Sequence, residues 1–119
     1  GAGNDPVFAY DLSVINTTAE KVNLFLYTRS DYSWDKESRP FNYAAKPVEA
    51  GAVYTFSVPV DSTHACPSSL AGYNADFTKS IAMMGCDGIE VNNSTARCCV
   101  NLQFEVYKKS DGSFHFRLK

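Results

Sequence analysis

Three side chains of the types used in acid–base chemistry are spaced so that one face of a β-sheet would present them together. His115 and Arg117 are two residues apart in an alternating segment, and Glu105 lies in the alternating segment before it. A base, an acid and a cationic phosphate clamp on one sheet face are what a small ribonuclease needs. The pattern therefore predicts, as one alternative, a small secreted hydrolase that uses His115, Glu105 and Arg117. Alternating charges are more often ordinary solvent-exposed surface, and the favoured interpretation is not an enzyme.

The second candidate site is a long segment, "RSDYSWDKESRPFNYAAKP", which covers residues 29–47. Long loops in compact β domains are often functional. Aromatic rings beside charges can stack on sugars, enter a membrane interface or anchor a protein partner. The alternative is a satellite core, with Trp34 and Phe41 packed beneath the loop. The predicted binding residues are Tyr32, Trp34, Arg39, Phe41 and Tyr43.

Four cysteines, an even number confined to the second half of the chain, predict two disulfides in an exported protein. Successive residues of a strand point to opposite faces of the sheet. Cys98 is in phase with Leu102 and is expected to point into the core, whereas Cys99 is expected to point outward or toward a covering loop. Each would then pair with one of Cys66 and Cys86, in an order that the spacing leaves open.

Three asparagines begin Asn-X-Ser/Thr triplets and are glycosylation candidates: Asn16, Asn92 and Asn93. No pair of cysteine or histidine residues has the spacing of a zinc site, and no phosphate loop, nucleophile elbow or dinucleotide fingerprint occurs. The sequence therefore predicts neither a metal nor a cofactor.

Period-two alternation predicts the elements that would hold these residues. Strands are expected over residues 7–16, 21–28, 52–60, 100–106 and 114–119, with a weaker pair within 80–91. The segment "SSLAGYNADFTKSI" allows one short helix after Pro67, although its Gly72 and Asn74 disfavour a helix. The prediction is a mainly β, single-domain antiparallel sandwich or small barrel of about six to eight strands, with at most one short helix and two disulfides.

The turn between the last two strands can be predicted in register. A three-residue loop over 110–112 sets Val106 opposite Phe116 and Phe104 opposite Leu118, so that apolar residues share a face. A two-residue loop would mix core and solvent positions, because a shift by one residue moves every side chain to the other face. The favoured turn has a bulge and requires a positive φ at Gly112.

The composition and charge of the chain limit the classes of partner that it could bind. The 119 residues carry a net charge of −2, so no basic excess is available for a nucleic acid partner. No apolar run is long enough to span a bilayer. Residues 1–3, Gly-Ala-Gly, are interpreted as a tag remnant, and residues 4–119 as one domain.

The segment "KPVEAGAVYTFSV", together with the N-terminal strands, resembles the aegerolysin-type lipid-binding sandwiches. This resemblance implies a membrane-active, lipid-binding protein as a further alternative, and no site residue is carried over from it. The outline is also similar in class to secreted effectors, toxins and lectin-like modules. We expect a secreted or periplasmic, disulfide-stabilised, non-enzymatic binding module that recognises a protein receptor or a glycan on another cell, with a membrane surface as the other possible partner.

Overall fold

The structure is a computed structural model that describes residues 8–28, 39–40, 45–60, 67–96, 98–99 and 101–119. Within these ranges the chain forms strands and no helix, so no described segment is a helix able to cross a membrane. The strands are β1 (Phe8–Asn16), β2 (Val22–Thr28), β3 (Arg39–Pro40), β4 (Lys46–Val48), β5 (Val53–Val60), β6 (Pro67–Asn74), β7 (Ser80–Gly85), β8 (Glu90–Val91), β9 (Ser94–Thr95), β10 (Gln103–Lys108) and β11 (Phe114–Leu118).

Nine of the strands form one sheet that curls into a nearly closed, barrel-like shape. Eight follow the order β3-β2-β6-β7-β11-β10-β1-β5, and β4 also pairs with β2. The remaining pair, β8 and β9, forms a small separate hairpin. The expected mainly β fold is confirmed in its barrel form, although the sheet is mixed, because β1 pairs with β10 and β11 pairs with β7 in parallel.

The two ends of the sheet meet at the turn between β4 and β5. Strand β4 pairs with β2, and β5 pairs with β1, so this turn passes from one end of the sheet to the other. The side chain of Asn16, at the end of β1, is almost fully buried there. Its Nδ2 donates to the carbonyl oxygens of Glu20 at 2.8 Å, Val48 at 3.0 Å and Glu49 at 3.3 Å. Its Oδ1 accepts from the N–H and the hydroxyl of Thr18, at 3.0 and 2.7 Å.

The core lies inside this curved sheet and is formed by the inward residues of the alternating segments. Alternation alone predicted these positions, since a strand with one buried face places every second side chain in the core. The central apolar residues that are fully buried are Leu12, Val14, Val22, Leu24, Leu26, Phe56, Leu70, Phe104 and Val106.

The β10–β11 hairpin has the predicted register. Val106 lies opposite Phe116, and Phe104 lies opposite Leu118. The N–H of Lys109 donates to the carbonyl oxygen of Ser113 at 2.9 Å, which closes a three-residue loop. Gly112 has a φ of +89°, as the bulged turn requires. The predicted register is confirmed. It is the register that places the apolar side chains of both strands on the buried face.

The short helix that the sequence allowed after Pro67 is absent, and residues 67–74 form the central strand β6 instead. This strand pairs with both β2 and β7, so its backbone groups bond to neighbours on either side. A Cβ at Gly72 would lie 2.5 Å from the backbone oxygen of Asn23 and 2.8 Å from Cδ1 of Ile81. The glycine that weakened the helix prediction is therefore what lets the strands approach.

The predicted directions of the two adjacent cysteines are wrong. Cys99 is fully buried and forms a disulfide with Cys86, whereas Cys98 is only partly buried. Cys98 is also disulfide-bonded, and its partner lies outside the described residues, as does Cys66. The alternation fails because β10 begins only at Gln103, and Asn101 has a φ of +60°. A left-handed residue ends the regular strand, so the parity does not extend back to the cysteines.

Candidate functional site

The structure brings the three predicted catalytic residues together on the outer face of the β10–β11 hairpin. Glu105 is paired in register with Arg117, and Arg117 Nε donates to Glu105 Oε1. The guanidinium of Arg117 also lies over the ring of Tyr107, with Cζ 4.1 Å from the ring centroid. His115 is opposite Tyr107 in the register, with 5.8 Å between the two ring centroids. The carboxylate and the guanidinium thus bind each other.

The neighbouring serine does not make this cluster a nucleophilic site. Ser113 Oγ donates its only proton to Asp111 Oδ1, because an ionised carboxylate can only accept. In the 2.8 Å hydrogen bond between Ser113 Oγ and His115 Nε2, the histidine N–H is then the donor and the serine oxygen the acceptor. In a catalytic triad the histidine takes the serine proton, whereas here that proton points to the aspartate. The geometry does not favour a hydrolase at this face.

Most of the predicted aromatic binding loop lies outside the described residues. Tyr32, Trp34, Phe41 and Tyr43 are in this group. Of the predicted set only Arg39 falls in a described strand, where its backbone pairs with Thr28 at the end of β2. The predicted loop therefore leaves the sheet at the end of β2 and returns beside it as β3.

A different set of aromatic side chains lies on the outer face of β2 and β6 and in the turn after β6, and we call it the aromatic strip: Tyr27, Phe25, Tyr73 and Phe77. The ring centroids follow one another at 6.4 Å from Tyr27 to Phe25, 6.0 Å to Tyr73 and 5.6 Å to Phe77. Tyr73 and Phe77 are 37% and 52% exposed. The strip thus runs from the end of β2, where the 29–38 segment departs, to the turn between β6 and β7.

Phe77 occupies an unusual backbone conformation. Its φ is +61°, in the left-handed region, which costs an L-residue about 1–2 kcal/mol. A bulky apolar residue is rarely found there. Such strain persists only where the surroundings impose it, and it is concentrated at functional sites.

The turn that carries Phe77 is held by hydrogen bonds around the buried side chain of Asn74. Asn74 Oδ1 accepts from the N–H groups of Thr78 at 2.9 Å and Lys79 at 3.0 Å, and Asn74 Nδ2 donates to the Thr78 hydroxyl at 3.0 Å. From β2, Asn23 Nδ2 donates to the carbonyl oxygen of Asn74 at 3.0 Å. These bonds impose the backbone conformation that presents the phenylalanine ring to solvent.

Two exposed turns each contain an aspartate that binds a hydroxyl two residues later. The Thr78 hydroxyl donates to Asp76 at 2.6 Å, and this bond is the main reason why the pKa of Asp76 lies below its ordinary value. The Ser113 hydroxyl lowers the pKa of Asp111 in the same way. Both carboxylates are therefore ionised at neutral pH. Among the described residues no group of three or more metal-ligating side chains occurs.

The glycosylation candidates differ in their surroundings. Asn92 and Asn93 are exposed, with φ values of +51° and +67°, at the tip of the β8–β9 hairpin. Asn16 is buried, and its Nδ2 makes the three bonds that close the sheet. A glycan would replace one of the two hydrogens on that nitrogen, and the buried position has no room for a sugar, so glycosylation is incompatible with this fold. In the folded protein the exposed glycosylation candidates are therefore Asn92 and Asn93.

The aromatic strip was missed because its members are distant in sequence. Phe25 and Tyr27 were visible as aromatic residues on the second face of a strand whose first face is apolar. Tyr73 and Phe77 fell in the segment that allowed a short helix. The available signal was a strand with large apolar residues on both faces, which requires a cover or a ligand on each side.

Comparison with known proteins supports the fold alone. No family model matches the chain, and no curated protein matches it. A protein from Eubacterium rectale, solved by NMR, has a similar structure with a TM-score of 0.53 and 9% sequence identity. The similarity covers 92% of this chain and 87% of that chain. At this identity the resemblance extends to the arrangement of strands and carries no information on activity.

Proposed function

We propose that the protein is a non-enzymatic binding module that acts outside the producing cell and recognises its target through the aromatic strip. The observation that carries the proposal is Phe77, an aromatic side chain that is half exposed in a left-handed, hydrogen-bonded turn. Large aromatic side chains that become buried at an interface are among those that contribute most to binding energy.

Rigidity of the Phe77 turn supports a role in recognition. The four bonds made by Asn74 and Asn23 fix the turn before any ligand arrives. A preorganised anchor avoids the entropy that a mobile side chain and loop lose on binding. A ring at this position contributes little to the core, so the strain at Phe77 is better explained by contact with another molecule.

The position of the aromatic strip also fits the proposal. Its Tyr27 end lies where β2 pairs with Pro40 of β3, which is the point where the 29–38 segment begins and ends. That segment and the residues after β3 supply further aromatic side chains, among them Trp34 and Phe41. We propose that they extend the same recognition surface.

Action outside the cell is supported by the Cys86–Cys99 disulfide, since structural disulfides persist in oxidising compartments. The exposed triplets at Asn92 and Asn93 are compatible with export. The polar cluster around Arg117 does not favour catalysis, because its carboxylate and its guanidinium bind each other.

The experiment compares wild type with Phe77→Asn as immobilised baits for three ligand classes: a glycan array, liposomes and extracted cell-surface proteins. Asparagine tolerates a positive φ, so the turn is preserved while the ring is lost. We expect at least tenfold weaker binding to the true ligand class, because an aromatic anchor is worth about 2 kcal/mol or more.

A matched control is Val53→Thr on β5, because Val53 is 58% exposed and lies away from the strip. It should leave binding unchanged. The proposal fails if Phe77→Asn binds every class as wild type does. It also fails if Phe77→Asn lowers the thermal midpoint by much more than Val53→Thr, since the ring would then be structural.

A further inference from the structure

A cleft of about 430 Å³ lies between the two hydrogen-bonded turns. One wall is formed by residues 78–80, which follow Phe77 in the β6–β7 turn. The other wall is formed by residues 111–114 of the β10–β11 hairpin. The volume is in the range of small-molecule sites, toward its lower end.

The lining of the cleft combines polar side chains with Phe114, and its formal charges balance. Thr78, Ser80 and Ser113 contribute hydroxyl groups, Lys79 a cation and Asp111 an anion. Both bonds from Ser113 to Asp111 go to Oδ1, at 2.9 Å from the backbone N–H and 2.5 Å from the hydroxyl. The second carboxylate oxygen is therefore the acceptor that a ligand would meet.

This lining selects a ligand by its hydrogen-bonding groups. A phosphate would be repelled by the Asp111 carboxylate on one wall. An organic cation would be repelled by the Lys79 ammonium on the other wall. A ligand without net charge that carries many hydroxyl groups can donate to the carboxylate and accept from the ammonium. Phe77 directly precedes this wall in the chain, and its ring lies against that of Tyr73 in the aromatic strip.

We propose that this cleft binds a neutral carbohydrate residue, hydrogen-bonded by Asp111 and Lys79. This inference rests on the proposed function and names its ligand class. The aromatic strip would contact further sugar units of the same chain. The low pKa of Asp111 supports the assignment, because the carboxylate stays an acceptor over the whole neutral range.

The test is an amide chemical-shift titration of the full chain with five neutral hexasaccharides as probes: cellohexaose, chitohexaose, laminarihexaose, mannohexaose and maltohexaose. We expect at least one probe to shift the amides of residues 77–80 and 111–114 together. Asp111→Asn should weaken its binding at least tenfold, because a bond to a charged acceptor becomes a bond to a neutral one. Asparagine keeps the Oδ1 acceptor for Ser113, so the turn should persist.

Asp11→Asn, an exposed carboxylate on β1, is the matched control and should bind as wild type. Lys79→Gln is the second cleft variant, and the spectra report whether each variant is folded. If a probe shifts only the aromatic strip, or if Asp111→Asn and Lys79→Gln bind as wild type, the cleft inference is overturned and the proposed function stands. If no probe binds, or a sulfated heparin hexasaccharide binds more tightly than every neutral probe, the inference is also overturned. The Phe77→Asn comparison then decides the proposed function separately.

Discussion

Replacing Asn16 by alanine tests whether one buried amide joins the two ends of the sheet. The side chain is 1% exposed, and its Nδ2 bonds to the carbonyl oxygens of Glu20, Val48 and Glu49. Val48 is the last residue of β4, which pairs with β2. Glu49 follows it and leads to β5, which pairs with β1. Alanine removes the donor and leaves a cavity, although the carbonyls of Glu20 and Glu49 keep the Thr18 hydroxyl and the Ala52 N–H as donors.

The magnitude follows from the bonds that are lost. Each buried hydrogen bond contributes about 1 kcal/mol, and a buried group that loses its partner costs about 1–3 kcal/mol. The two hydrogens of Nδ2 and the Thr18 N–H lose their bonds, and together with the cost of leaving that buried N–H unpaired this gives a loss of about 4 kcal/mol. So large an effect from one substitution is unusual and diagnostic of a buried polar network.

The assay is equilibrium urea unfolding followed by far-ultraviolet circular dichroism, with the disulfides intact. For a dependence on urea of about 2 kcal/mol per M, the unfolding midpoint should fall by about 2 M. Gln103→Ala, which removes an exposed amide on β10, is the matched control and should change stability by less than about 0.5 kcal/mol. A loss for Asn16→Ala as small as that of the control would refute the closing role of the amide.

Asn16→Asp gives a pH signature that a cavity alone would not give. The introduced carboxylate keeps the acceptor for Thr18 but directs an anion at carbonyl oxygens, so its pKa in the folded state should be raised above its unfolded value. A carboxyl group whose pKa is higher in the folded than in the unfolded state binds its proton more tightly when the protein is folded. The stability of this variant should therefore increase as the pH falls through the raised pKa, whereas Asn16→Ala should show no such gain.

Three further predictions concern the frame around the site. Gly72→Ala should cost about 2–3 kcal/mol, because its methyl would lie 2.5 Å from a backbone oxygen, and urea unfolding measures this loss. The double variant Cys86→Ala/Cys99→Ala should lose about 3 kcal/mol, as expected for a loop closed over a sequence separation of 13, and reduction of the remaining bridge should destabilise it further. Asp111→Asn should reduce the loss of unfolding free energy that wild type shows as the pH falls through the pKa of Asp111, as measured by urea unfolding at several pH values. The pKa of Asp111 is lowered on folding by the Ser113 hydroxyl, so this contribution is present above the unfolded pKa and lost as the pH falls through the folded one.

The sequence alone was sufficient for the hairpin at the end of the chain. Burial of one face and a glycine at the turn leave a single register, and both depend only on residues close in sequence. The same local pattern placed Glu105 and Arg117 on one outer face, where they form their ion pair. Inward positions such as Leu12, Leu24 and Phe56 followed from alternation for the same reason.

Tertiary structure alone decided three other features. Residues 67–74 are a strand because two neighbouring strands bond to their backbone, which outweighs a weak local preference for helix. Cys99 rather than Cys98 points inward because Asn101 interrupts the strand with a left-handed turn. The aromatic strip exists because β2 and β6 lie side by side, although Phe25 and Tyr73 are far apart in the chain. Alternation is a property of neighbouring residues, whereas pairing between distant strands depends on which arrangement of the whole chain buries the core.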